Sequence, residues 1–434
     1  FAYFNLVPWI SLLVVIVFAV IGLYQSNVRK GFANTLYNIP IAVLCVNVGL
    51  LTIAYWYREF AFPRSVLLIS IVFETVLFLV FRYIIWKLAK YQHGTKRVLI
   101  VSKTKGQASI VANKLLMQKD KWLSLQACVT EEEFMQSPID SFEADIVMID
   151  SSVDRTKAAD ILNRAIQSGR ECMIVPNSFQ ISINLAEIQQ VQDTLVLSVR
   201  PPLLTDKQLM IKRVFDVLVS FAMLAVASPV MLILYFLVRM TSSGPAIFVQ
   251  DRVGLNGQIF KIYKFRSMVN NAENQTGPVL AAENDPRITR VGKFMRAMRL
   301  DELPQIFNVL RGDMSLIGPR PERPEFAERY KQEVPDYQYR TFVKPGITGL
   351  AQVLSNYNTT MEDKVRYDLI YVHNYSLALD VEIFFQTVRV VLQRDSVKGV
   401  SNIPENGGLS HKFGIGESNY IQVETRSDSI ERRA

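Results

Sequence analysis

Residues 7–24 carry no charged side chain, a second charge-free core lies within residues 37–57, and residues 65–81 form a third apolar run interrupted only by Glu74. Runs of this length are what a bilayer selects, because inside lipid a backbone must satisfy its own hydrogen bonds and the helix does so within one segment. The third run decides whether an acid is tolerated. Its thirteen Val, Leu, Ile and Phe residues favour insertion by about 0.3–0.6 kcal/mol each, against about 2.5–3.5 kcal/mol for one central acid. The apolar sum wins, and Glu74 is expected to face other helices. Residues 1–90 are thus read as three transmembrane helices. Arg82, Lys87, Lys90, Lys96 and Arg97 follow the third run and place what comes next in the cytoplasm. Three spans ending inside put Phe1 outside, so a fourth span is expected upstream. The first run has neither a basic leader nor a small-residue cleavage site, which argues against a signal peptide.

Charge separates this block from the rest. Only nine of the 88 charged residues lie in positions 1–95, leaving about 23% charged residues over the remainder, an ordinary soluble composition. The net charge of +8 favours an anionic partner: nucleic acid, lipid headgroup or phosphorylated substrate. Cys45, Cys128 and Cys172 are widely spaced and signal neither a disulfide framework nor a zinc site.

Residues 96–200 alternate strands and helices: strands at 98–101, 123–129, 145–149, 173–175 and near 195–199, helices at 107–118 and 157–168. That alternation predicts a parallel α/β sheet. Its first turn reads Ser102-Lys103-Thr104-Lys105-Gly106, with one glycine where a dinucleotide-binding turn needs three. A structural or regulatory role is expected for this domain. Residues 201–211 read as a linker.

Residues 217–238 are 22 positions without a charge, flanked by Lys212, Arg213 and Arg239 and interrupted by Ser228-Pro229. Proline removes a backbone donor and clashes with the preceding turn, so a kinked span or a helix-break-helix hairpin over residues 212–240 is expected. A hairpin that re-enters the same face keeps residues 241–400, the expected catalytic domain, in the cytoplasm.

That last domain carries the phosphate chemistry. Residues 246–253 and 259–265 read as a β-hairpin around Gly254–Gly257, with Lys264 and Arg266 leaving its second strand. Arg287, Arg290, Lys293, Arg296 and Arg299 then recur every three residues among Val291, Phe294, Met295 and Met298, the pattern of a basic amphipathic helix. Asp301-Glu302 follows, with Pro304 next and Gly312 at a plausible helix end. Asp301 is expected as an N-cap, at the positive end of a short helix where a carboxylate stays ionised. Two adjacent carboxylates could also hold Mg²⁺. Arg320 sits between Pro319 and Pro321, which limits the entropy lost when its guanidinium grips an anion. Residues 344–352, with Gly349 and Gln352, form a glycine-punctuated loop suited to close ligand approach. Residues 401–434 read as a tail.

Read together, KRVFDVLVSFAMLAVASPV, KIYKFRSM, DPRITRVG, LDELPQ, GDMSLIGPRPE and KPGITGLAQV resemble the bacterial sugar transferase family, the monotopic phosphoglycosyl transferases. The spans and α/β domain resemble its long form. The resemblance implies a fold of membrane helical bundle, α/β Rossmann-like domain and α+β catalytic domain with a re-entrant helix broken at Ser228-Pro229. It implies transfer of a hexose 1-phosphate from a UDP-hexose to undecaprenyl phosphate, releasing UMP and initiating exopolysaccharide, capsule or O-antigen synthesis. Asp301 would be the nucleophile, Glu302 its assistant, and Mg²⁺ would sit at the pair. Arg320, Arg296, Lys264, Arg266, Arg287, Arg290, Pro319, Pro321, Gly349 and Gln352 would bind substrate. The implied location is the bacterial cytoplasmic membrane, with inner-membrane lipid and no nucleic acid as partner, and a homodimer left open. Two alternatives stand: an inactive membrane-anchored regulator or scaffold, and a glycosyltransferase without a covalent intermediate.

Overall fold

The computed structural model describes residues 2–24, 32–56, 64–117, 122–184, 186–199, 203–269, 285–334, 336–355, 359–392 and 421–422. Most of the expected tail therefore lies outside the described residues. The chain forms two compact units, Phe1–Asn177 with Ile403–Ala434, and Ser178–Asn402.

The first unit begins with helices α1 (Ala2–Val20), α2 (Phe32–Trp56) and α3 (Arg64–His93). α2 and α3 are long and apolar enough to cross a membrane, and α1 adds a shorter apolar run, Val7–Val20. Glu74 turns to its neighbour as expected, its Oε2 accepting a hydrogen bond from Asn47 Nδ2 at 3.1 Å. In lipid neither polar group has water as an alternative, and such a pair holds two helices in one rotation.

Beyond α3 come β1 (Lys96–Ser102), α4 (Lys105–Leu116), β2 (Leu123–Thr130), α5 (Glu131–Gln136), β3 (Ile146–Ile149), α6 (Arg155–Gln167) and β4 (Glu171–Ile174). The strands are parallel in the order β2-β1-β3-β4. Side chains of β1 alternate between two layers, as strand geometry requires. Leu99 and Val101 pack with Phe134, Ile149 and Ile161 on one face, and Val98 and Ile100 with Ala108, Ala112 and Ile146 on the other. Helices cover both faces, which is why β1 reads as a continuous apolar run.

The strand expected near 195–199 does not join this sheet. The chain leaves β4 through α7 (Ser178–Asn184), whose Ile181 is buried with Ala327, Val334, Tyr337 and Leu369 of the second unit. β5 (Glu187–Val191) and β6 (Thr194–Ser198) then pair with each other as an antiparallel ribbon. The parallel strands of the sheet therefore end with β4, and Ile421–Gln422 adds an antiparallel edge beside β2.

The second unit is organised on α8 (Asp206–Thr241), 36 residues long. α8 spans Ser228-Pro229 as one helix with Pro229 inside it, not as two helices with a loop between. Pro229 cannot donate to the carbonyl four residues back, that of Ala225, but Ser228 Oγ donates to that same oxygen at 3.1 Å. The Ser-Pro pair thus repairs the bond it removes. Near the start of α8, Lys212 pairs with Asp380 at 2.6 Å, and Asp216 accepts from Ser315 Oγ and Leu316 N, each at 3.0 Å. Near its end, Met231, Leu234 and Val238 are buried with Ala246, Phe265 and Met295. Leu218, Phe221, Val226, Ile233 and Phe236 stay exposed along its length.

β7 (Ile247–Val253) and β8 (Ile259–Phe265) form the expected hairpin. α9 (Arg290–Ala297) is shorter than the basic periodicity suggested: Thr289 caps its start, and Arg299, at φ 57°, has already left the helical region. Arg287 and Arg299 thus lie outside it. α10 (Gln305–Arg311), β9 (Ser315–Ile317), α11 (Pro324–Glu333), β10 (Gly346–Thr348), α12 (Leu350–Leu354), α13 (Met361–His373) and α14 (Leu377–Leu392) complete the unit. Its core gathers Ile262, Val309, Ile317, Val343, Tyr371 and Ile383 from six of these segments and their links.

Candidate active site

Arg299, in the left-handed region, ends α9 and turns the chain into a single 3-10 turn, Leu300–Glu302. Asp301 is not the N-cap it was expected to be, because it lies inside this turn and Pro304 holds the cap position of α10. The amides that an N-cap would serve are already used: Leu303 N donates to Leu300 O, Ile306 N to Leu303 O and Phe307 N to Pro304 O. Gly312 does end α10 in the left-handed conformation, φ 99°. The carboxylate of Asp301 is therefore spent on no helix end.

Two distant segments converge on Glu302. Arg320, from the loop after β9, donates from Nη2 to Glu302 Oε1 at 2.7 Å, and Lys264 of β8 reaches the same oxygen at 3.4 Å. Burial works to raise the Glu302 carboxyl, but the charges of Arg320, Lys264 and Arg299 outweigh it and hold the group well below the ordinary carboxylate range. Arg320 is raised in turn, chiefly by Glu302. Burial pushes Lys264 down to about 8, against the pull of Glu302.

Asp301 is treated in the opposite way. It is 9% exposed, yet its carboxylate makes no hydrogen bond or ion pair with any described residue. Burial first, and then the charge of Glu302, raise its carboxyl above the ordinary range, with Lys264, Arg296 and Arg320 opposing. The result is one firmly ionised carboxylate, engaged by two cations at Oε1, beside one unengaged and more basic one. A group of that second kind suits attack on an electrophile or coordination of a cation.

The other expected site residues divide. Arg296 lies close enough for its charge to act on Asp301, its Nε donating to Ser267 Oγ at 2.8 Å. Arg266 instead donates to the carbonyl and hydroxyl of Ser242, Arg287 grips Asp285, and Arg290 is exposed. Pro319 and Pro321 line a small open cleft beside Arg320, together with Gly254, Tyr337, Arg340 and Val343. Gly349 serves a crossing of two loops, where a Cβ would stand 2.1 Å from the Gly318 carbonyl oxygen. Gln352 Nε2 donates to Ile347 O at 3.1 Å, and its Oε1 is buried without a partner among the described residues.

The pair fits the carboxylate count that Mg²⁺ usually takes from protein, since that ion binds one or two carboxylates and fills its shell with water and substrate phosphate. Asp301 is unengaged, and Glu302 uses only Oε1 in its ion pairs. Among the described residues no group of three or more acidic, His or Cys side chains forms a protein cage for a metal.

A sequence profile described as bacterial sugar transferase matches residues 207–394, the segment that holds the carboxylate pair, Lys264 and Arg320. A galactosyl transferase, CpsE, of Streptococcus agalactiae is 35% identical over 320 residues, which cover 70% of this chain and 68% of the relative. The chain belongs to the bacterial sugar transferase family. Two further members are a UDP-N-acetylgalactosamine-undecaprenyl-phosphate N-acetylgalactosaminephosphotransferase of Aeromonas hydrophila, 44% identical over 48% of this chain and 52% of the relative, and a UDP-glucose:undecaprenyl-phosphate glucose-1-phosphate transferase of Klebsiella pneumoniae, 40% identical over 50% and 47%. The chain thus spans about half the length of these two sugar transferases.

Buried groups that no local pattern in this sugar transferase signals include Lys212, Asp216, Arg340 and Asp368. Their partners lie far away in sequence. Only the turn chemistry around KRVFD, two basic residues and an acid inside an apolar run, hints that one face of α8 is not for lipid.

Proposed function

We propose that this chain transfers a hexose 1-phosphate from a UDP-hexose to undecaprenyl phosphate, releasing UMP, through a phosphosugar carried on Asp301. The single observation that carries this reading is the unequal treatment of two adjacent carboxylates: Glu302 is engaged by Arg320 and Lys264, and Asp301 has no partner among the described residues. The relatives' names support the substrate class. They differ in the sugar, so the hexose itself is open. The product would start exopolysaccharide, capsule or O-antigen synthesis.

In the first displacement a carboxylate oxygen of Asp301 attacks the phosphorus that bears the sugar, and the bond from that phosphorus to the oxygen of UMP breaks. In the second, an oxygen of undecaprenyl phosphate attacks the same phosphorus and the acyl phosphate bond to Asp301 breaks, restoring the carboxylate. Splitting the reaction lets a polar donor and a lipid acceptor use one site in turn. Raised basicity makes Asp301 the better nucleophile. Arg320 and Lys264, fixed by Glu302, present positive charge to phosphoryl oxygens without reorganising. Mg²⁺, held by Asp301 and Glu302, would neutralise charge on the same oxygens. Glu302 assists by holding the two cations.

We also propose that α8 is re-entrant and that the catalytic unit lies on the cytoplasmic face. A 36-residue helix is about 54 Å long, and both its halves pack on one folded unit through Lys212 and Asp216 at one end and Met231, Leu234 and Val238 at the other. A straight crossing would put those ends on opposite sides of the bilayer. Cysteines placed at Lys207 and Asn256 should label from the same side, and labelling from opposite sides would remove this topology.

The reaction is tested with a UDP-hexose labelled in sugar and β-phosphate, given to membranes without the lipid acceptor. Wild type should retain label on protein, and Asp301→Asn should fold, retain none and turn over at least about 10⁴-fold more slowly. Label on the asparagine variant would move the nucleophile elsewhere. Release of UDP instead of UMP would indicate direct glycosyl transfer, and release of no nucleotide with any UDP-hexose a scaffold.

A further inference from the structure

Arg320 is held at Glu302 by its side chain, but its backbone is held by something else. Arg340, in the 3-10 helix Tyr337–Phe342, donates from Nη2 to the carbonyl oxygen of Arg320 at 2.9 Å and from Nη1 to Tyr337 Oη at 3.1 Å. The same Nη2 lies 2.8 Å from Asp368 Oδ2 of α13. Both charges are out of water, Arg340 at 5% and Asp368 at 1% exposure. Placing an ion pair there is costly and is not the most stable filling of such a space, since apolar residues of similar volume usually do as well or better. Arg340 lines the cleft beside Arg320, and it contacts the one backbone carbonyl between Pro319 and Pro321 that sets where the Arg320 guanidinium begins.

Resting on the reading of Arg320 as a phosphate ligand, we propose that Arg340, oriented by Asp368, is a positioning residue that fixes the Arg320 backbone and so aims its guanidinium at the dyad and the donor's phosphates. The chain of contacts runs from Asp368 to Arg340, to the Arg320 carbonyl, and through the Arg320 side chain to Glu302. Four segments separated by 18 to 28 residues thereby share one path. Two prolines alone restrict φ on either side of Arg320, but they supply no donor to its carbonyl.

The groups that face Asp368 are Arg340 and Tyr337 from the 3-10 helix, Glu322 from the loop after β9, and Lys364 from its own helix. Burial, with Glu322 adding to it and Arg340 opposing, raises the Asp368 carboxyl to about 6. The carboxylate is charged above that pH and neutral below it. As pH falls through 6 the ion pair loses its anion, and the support for Arg320 weakens. Wild-type kcat/KM for the UDP-hexose should therefore step down about tenfold as pH falls through 6.

The experiment compares full-length wild type, Asp368→Asn and Arg340→Lys in membranes, reading UMP release from a UDP-hexose between pH 5 and 8, with thermal unfolding as the control for folding. Asp368→Asn keeps size and an acceptor. It should remain folded, lose about tenfold in kcat/KM at pH 7.5 and lack the step near pH 6, because the titrating group is gone. Arg340→Lys should lose about 10–100-fold, as one ammonium cannot serve a carbonyl, a phenol and a carboxylate in the fork geometry. Variants that stay within twofold of wild type, with the step near pH 6 unchanged, would reduce the pair to structural filler and overturn the role. Loss of unfolding temperature with kcat/KM and the step intact in the surviving fraction would overturn it as well. A wild type that releases no UMP from any UDP-hexose would overturn the reading of the site, and this inference with it.

Discussion

The strand ends of the α/β domain and the carboxylate pair of the catalytic unit both gather acids and bases, and they differ in how those charges are settled. In the first, the pairs are exposed on at least one side and each acid has its own base: Lys105 with Glu133 at 3.0 Å, Lys103 with Asp154 at 3.5 Å, Lys157 with Glu131 at 2.5 Å. Asp150, though buried, is satisfied by the Ser152 hydroxyl at 2.5 Å. In the second, two cations share one oxygen of Glu302, and Asp301 beside it has none. Water screens the first set, so its arrangement is worth little and can be lost without consequence. Burial magnifies the second, where an uneven distribution drives two like groups in opposite directions. The lesson is that a cluster of charge marks a site by its imbalance when dry, not by its size.

The comparison is broken or sharpened by removing charges from each region in turn. Glu302→Gln should have the largest effect after loss of Asp301 itself, about 10²–10³-fold in kcat/KM, because it leaves Lys264 and Arg320 buried without an anion. Since Asp301 remains, this variant should still trap some phosphosugar, and a complete absence of label would make Glu302 the nucleophile. Arg320→Ala should cost about 10²-fold, mainly in KM for the donor, and Arg320→Lys should recover only part, as a point charge replaces a planar fork. Full recovery by lysine would show that the geometry of this cation is irrelevant.

Titration gives a smaller effect. Lys264, pushed down to about 8 by burial, is protonated below that pH and neutral above it, so kcat/KM should fall about tenfold per unit as pH rises past 8. Lys264→Arg keeps its charge and should lose that basic limb. A limb that persists would belong to another group. The smallest effect is expected in the α/β domain, where Lys103→Ala should leave turnover within about twofold. A large loss there would show that this exposed set is coupled to catalysis, and the contrast between the two regions would fail.

Some of this was legible from residues in order. Charge-free runs located α1 to α3, and the placement of Glu74 towards another helix followed from the cost of exposing an acid to lipid. Strand and helix periodicity located β1 to β4 and the hairpin of β7 and β8, because those signals are carried by neighbours in the chain. The adjacent acids Asp301 and Glu302, and an arginine between prolines, drew attention to phosphate chemistry before any geometry was known.

Tertiary structure decided the rest. That α8 runs through Pro229 depends on where one serine hydroxyl points, and that β6 leaves the parallel sheet depends on Ile181 being buried elsewhere. Asp301 and Glu302 are chemically near-identical neighbours in the sequence. Their division of labour arises only when β8 and the loop after β9 bring Lys264 and Arg320 to one of them, and the Arg340–Asp368 pair joins residues 28 positions apart. Helix and strand periods are written by local side-chain alternation, so the sequence by itself determines them. Desolvation and ion pairing depend on which distant segments exclude water from the same point, and only the folded chain sets that.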